Sequence, residues 1–110
     1  TMANPTKSAV VAVTMLAMSE LIGNRFVSVK GRQATADDPI FGVVPVDTKA
    51  GESVAVEILG VSIVESGGAI TQGDKVASDA QGCAIKSETG QFLALSSASG
   101  ANEPVKALLR

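Results

Sequence analysis

The stretch ESGGAITQGDKVASDAQGCAI, residues 65–85, holds four glycines together with Asp74, Lys75, Asp79 and Cys83, the chain's only cysteine. Such residues could cradle a phosphate, hold a cation or supply a thiol nucleophile. A phosphate loop of the form GxxxxGK[ST] needs a lysine directly after its second glycine. Gly68 and Gly73 have that spacing, but Asp74 stands where the lysine should be and would repel the phosphate. No helical pattern follows it. A calcium loop needs oxygen ligands at alternate positions, a closing glutamate and flanking helices. The odd separation of Asp74 and Asp79 places them on opposite faces of a strand, so they cannot share one ion. A looser set with Asp37 and Asp38 has no spacing that specifies a metal. Cys83 as a nucleophile would need a base, and the chain has no histidine to act as one. Zinc is excluded on the same count. Cys83 therefore reads as a small buried hydrophobe.

A prosthetic group is the remaining chemistry. Lipoyl and biotinyl carrier domains are small glycine-rich β-barrels with the modified lysine at a hairpin tip, and Gly73-Asp74-Lys75 resembles such a tip. The biotinyl motif has methionines flanking its lysine, whereas Lys75 lies between Asp74 and Val76. The lipoyl motif has alanine where Val76 stands. A lipoyl- or biotinyl-like carrier barrel stays as one alternative and a protein-binding β module as another. The preferred reading of residues 65–85 is geometric: strand, turn, strand, with Gly82 where a turn needs a positive φ. No catalytic residue, cofactor or metal site is expected, and the chain is read as a non-enzyme.

The elements that would carry these turns are short and β-rich. Turn signals recur at Gly23-Asn24, Lys30-Gly31-Arg32, Asp37-Asp38-Pro39, Asp47 to Glu52, and at each glycine from Gly67 to Gly100. Between them lie runs of Val, Ile, Ala and Phe, the pattern of a small barrel or sandwich. Val54, Val56 and Ile58 alternate with Ala55, Glu57 and Leu59, which gives a strand over 53–59. Residues 40–47 form its apolar hairpin partner, with Pro45 at an edge or bulge. Further strands are expected over 10–18, 26–30 and 105–110. The segment 92–97 is open between a strand and a short helix. The predicted fold is therefore mainly β: a small glycine-rich β-barrel or β-sandwich of short strands with an extended N-terminal arm and at most one short helix. Residues 1–8 form the arm and 9–110 a single β-rich domain.

With 110 residues the core is small enough that oligomerisation would help. A net charge of −2 and only three aromatic residues offer neither a basic footprint nor a stacking platform for nucleic acid. The apolar run over 8–18 is too short to span a bilayer. It sits behind Lys7 as a signal-peptide core would, but no small-x-small cleavage site closes it. No nucleic-acid or membrane partner is expected.

Several stretches together resemble the small capsid cement, or decoration, proteins of tailed phages and prophages. They are Asn24-Arg25-Phe26-Val27, the FGV segment at Phe41 to Val43, Ala50-Gly51-Glu52, Gly68 to Ala84, and the closing Val105 to Arg110. The resemblance covers nearly the whole chain. It implies a structural protein on the exterior of the virion capsid, made in the bacterial host cytoplasm, which binds the major capsid protein and stabilises the mature head. It also implies a homo-oligomer, most often a trimer. In that frame the arm Met2, Ala3, Asn4, Pro5, Thr6, Lys7 and Ser8 is the capsid-binding candidate.

Overall fold

The structure, a computed structural model, describes residues 8–36 and 38–109, with side chains from Val11 onward. Eight strands follow one another: β1 (Ser8–Leu16), β2 (Arg25–Ser28), β3 (Ile40–Val44), β4 (Ser53–Gly67), β5 (Lys75–Ser78), β6 (Ala84–Lys86), β7 (Phe92–Ala94) and β8 (Ala101–Leu109). There is no helix among the described residues. The segment left open over 92–97 is a three-residue strand, β7, fixed by pairing of Leu93 with both Lys75 and Leu108.

The 15-residue β4 organises everything else. Its first half pairs antiparallel with β1 over Ser53 to Val61 and meets β3 at Val43↔Glu57. Its second half pairs with β8 from Gly60 to Gly67. Gly60 lies where these pairings change over and has φ 104°. The second half belongs to a closed ring in the order β4-β6-β5-β7-β8 and back to β4. The ring is a five-stranded barrel, and its weakest seam is the single parallel pair Ser66↔Ala84. The first half belongs to an open sheet in the order β1-β4-β3-β2.

Each half has its own core. Phe26, Val64, Val76, Phe92, Val105 and Leu109 are among the residues that fill the barrel side. The Phe26 and Phe92 rings lie 5.7 Å apart at a tilt of 34°, within the range where aromatic pairs add to plain burial. Ala17, Leu21, Val27, Val44, Val54 and Val56 form the second core, against which Met15, Phe41 and Ile58 pack. Neighbouring β2 residues thus point into different cores, Phe26 to one and Val27 to the other, as strand alternation requires.

The hairpin expected between residues 40–47 and 53–59 is splayed. β3 ends at Val44, ahead of Pro45, and the connection over 45–52 swings out to bridge Leu21↔Thr48. The last strand begins at Ala101, earlier than expected. Pro104 is tolerated within it because β7 pairs only with Ala107 and Leu108, so no β7 ladder bond is asked of Pro104.

Gly82 has φ 80° in the turn between β5 and β6. A side chain there would also crowd Gln33 Nε2 at 2.7 Å and the Phe26 carbonyl oxygen at 3.0 Å. Gly82→Val should cost more than about 1 kcal/mol. Gly82→Asn should still destabilise, because asparagine eases the φ but not the crowding. Thermal melts of the two variants check this, and two wild-type melting points would contradict it.

Candidate functional site

The glycine-rich stretch is built from turns whose polar atoms are already engaged. Asp74 Oδ2 accepts the Thr71 N–H at 2.8 Å, and the Asp74 N–H donates to the Thr71 carbonyl at 2.9 Å. Asp79 Oδ1 accepts the backbone N–H groups of Gln81 and Cys83 at 2.8 and 2.9 Å. Both aspartates therefore close local turns, a common use of this side chain. Lys75 is the exposed first residue of β5, paired with Leu93, and not the apex of a turn. Asp74 is 4.0 Å from Lys86 Nζ, at the outer limit of an ion pair.

Cys83 is buried at 5% exposure. Burial and then the charge of Asp79 raise its thiol pKa, against a smaller opposing effect of Arg25. A thiol held protonated in this way is a poor nucleophile. Arg25 spans the junction beside it. Its Nε donates to Glu65 Oε1 at 3.2 Å and its Nη1 to the Gln81 carbonyl at 3.4 Å, tying β2 to the barrel.

Other carboxylates are also spent on backbone. Asp47 Oδ1 accepts the Gly23 N–H at 2.7 Å, and Glu52 Oε1 accepts the Lys49 N–H at 3.0 Å. The Thr35 hydroxyl and N–H hold the Asp38 carboxyl below its usual pKa, and the Ser99 hydroxyl and N–H do the same for Glu103. Inside, Ser62 Oγ donates to Glu57 Oε1 at 2.5 Å. Among the described residues, no group of three or more His, Cys, Asp or Glu side chains is placed to hold a metal.

The surface carries the more informative asymmetry. Among the described residues, eight large hydrophobic side chains are exposed: Val11, Val13, Leu16, Met18, Ile22, Val29, Val46 and Leu59. All precede Gly60. The barrel half, from Val61 onward, exposes none among the described residues. Val11 and Leu59 are direct partners across β1 and β4. Leu16 ends β1 opposite Ser53, beside the 45–52 loop that carries Val46. Met18 follows, with its N–H donating to the Gly31 carbonyl near Val29, and the Gly23 backbone next to Ile22 packs on Val46. The β1 edge and the neighbouring loop end thus form an apolar region on the open-sheet side of the molecule. Scattered single hydrophobics are ordinary on a surface, whereas a set confined to one side marks a contact region.

Sequence reasoning missed this region. Val13 and Val56 are register partners of the same residue type, yet Val13 is 39% exposed and Val56 is fully buried. The one available signal was the uncharged run over 8–19, which reads as a strand and as too short for a membrane span but does not show which of its side chains stay exposed. Of the proposed arm, Met2 to Lys7 lie outside the described residues. Ser8 opens β1 opposite Val61.

A family model described as phage cement protein matches residues 5–109. Among solved structures, the N base of the head fiber gp8.5 of bacteriophage phi29 is similar in fold. The match has a TM-score of 0.66 and 21% identity and covers 91% of this chain and 93% of that one. No curated protein matches the chain.

Proposed function

The chain belongs to the phage cement protein family, and on that premise we propose that it binds the outer surface of a phage head, contacts the major capsid protein and stabilises the mature shell as a homotrimer. A structural role in the phage head is what membership of the family supports. The observation that carries the finer reading is the confinement of exposed large hydrophobics to the open-sheet half. A cement must face its shell with one side and solvent with the other. The half without exposed large hydrophobics, the barrel, is suited to solvent. The half with Leu16, Met18, Ile22, Val29 and Val46 is suited to desolvation against protein. The arm Met2 to Ser8 precedes and opens β1 in the sequence and is kept as part of the proposed shell contact.

Three copies bound together would give three linked contacts. Each copy's binding would raise the effective concentration of the others, so weak individual contacts would sum to firm attachment. A net charge of −2 fits association by apolar fit more than by long-range steering.

The reading is tested with expanded heads lacking the protein. Met18→Asp and Val46→Asp change exposed side chains, so folding should be nearly unaffected. Each should weaken head binding by roughly tenfold or more, the loss expected when a charge is buried at an interface without a partner. Lys75→Glu on the barrel should bind as wild type does. Loss of binding by the barrel variant, with both apolar-side variants unaffected, would reverse the proposed orientation.

A further inference from the structure

One part of the apolar region has a property that shell contact does not require. β1 pairs with β4 along one edge and with no other strand of the described chain. From Ala12 to Leu16 its register with β4 is regular, so the opposite backbone edge is straight and open. From Ser8 to Ser19 there is no charged residue and no proline. Folded proteins usually protect such edges with lysine, proline or a covering element. The barrel has no open edge because it closes on itself. The outer side of β2 is partly covered: the Ser28 and Ala34 N–H groups bond with the carbonyls of Arg32 and Phe26, and the Phe26 N–H donates to the Gly82 carbonyl.

The side chains of β1 add a second feature. Val11, Ala12, Val13 and Thr14 are all exposed. Successive residues of a strand point to opposite faces, so β1 is open on both faces from Val11 to Thr14 as well as along its edge, up to Met15, which packs against the second core. A two-fold pair of copies needs one self-complementary patch. A closed ring needs two different patches on each copy, one for each neighbour. A strand open on both faces offers two.

Resting on the proposed trimeric reading, we infer that β1 is the contact between copies of this chain, with the two faces of Val11 to Thr14 packed against the β1 strands of its two neighbours. The charge pattern selects a second copy as occupant. Around a three-fold axis a strand near the axis approaches its own copies, so charged residues on it would meet like charges and repel. The 8–19 segment has none, whereas Glu20, Lys30, Arg32, Asp47 and Lys49 lie on or beside the loops left to face the shell. β1 is thereby assigned to self-association, and the loop end and arm to the head.

The test needs no heads. The solution mass of the wild-type chain, measured by light scattering, should correspond to three copies. Val13→Asp should give a single folded chain, while Ala101→Asp, at an exposed barrel position, should keep the wild-type mass. Hydrogen exchange of the wild-type protein gives a second reading that does not depend on any variant folding. Amides of Ala12 to Leu16 should exchange more slowly as concentration rises, and those of β5 and β6 should not change. A folded Val13→Asp protein of wild-type mass, a wild type that stays monomeric up to its solubility limit, or β1 exchange independent of concentration would each overturn the inference. Head binding is scored separately. A chain that binds heads while its β1 amides stay unprotected in the oligomer overturns this inference alone and leaves the cement reading standing.

Discussion

Gly42→Val is expected to cost more than about 4 kcal/mol, enough to remove much of the stability of a small domain. Gly42 lies in β3 beside the Val43↔Glu57 pair that joins that strand to β4. A Cβ at this position would overlap the Glu57 carbonyl oxygen and come within 2.8 Å of Val56 Cγ1. Neither obstacle can move cheaply. Glu57 is paired with Ala12 on one side and Val43 on the other, and its side chain is bonded by Ser62. Val56 is fully buried in the second core. Relief would require β3 to shift outward, opening the space over Val43 and Val44. Gly68 provides the contrast, since a Cβ there meets nothing within 4 Å. Gly68→Ala should therefore melt close to wild type, whereas Gly42→Val should be insoluble or melt about 15 °C or more lower. A Gly42→Val protein with a wild-type melting point would show that β3 and β4 are not this close.

The contrast between these glycines also shows where sequence reading stops. Glycine at a turn is readable from its neighbours, and the Gly82 turn is where the sequence places it. Glycine beneath a crossing strand depends on a partner distant in sequence, and nothing around Gly42 announces it. The same holds for β4. The alternation through Ile58 is plain, but after Gly60 the inward positions include Ser62 and Ser66, so the apolar pattern breaks while the strand continues. These serines are tolerated inside because Ser62 bonds Glu57, and Ser66 donates to the Gly100 carbonyl at 2.6 Å. Burying a hydroxyl is costly unless it is bonded, and those bonds are set by the fold. β7 was ambiguous for a related reason: three residues carry no usable period, and only pairing with β5 and β8 makes them a strand.

For the site, the sequence speaks most plainly through composition. The missing lysine of a phosphate loop and the missing histidines are properties of composition. The turn roles of Asp74 and Asp79 agree with the geometric reading of residues 65–85. The exposed apolar side was not legible, because hydrophobic residues of one type were divided between core and surface by tertiary packing.

The proposed function is stabilisation of a phage head by binding to its exterior. The most direct measurement takes expanded, DNA-filled heads lacking the protein, adds increasing amounts of the full chain, and follows the temperature at which DNA escapes. A cement ties neighbouring shell subunits together, so rupture requires its contacts to break as well. Anything that binds the intact state alone raises its stability with concentration until sites are filled. A saturable rise in the escape temperature is expected, tracking occupancy, with a plateau at a fixed number of copies per head. Removal of Met2 to Lys7 should shift the curve to roughly tenfold or higher concentration while leaving the melting point of the free protein nearly unchanged, since a terminal arm contributes little to the core. Heads that neither bind the full chain nor gain any resistance to heating would contradict the claim.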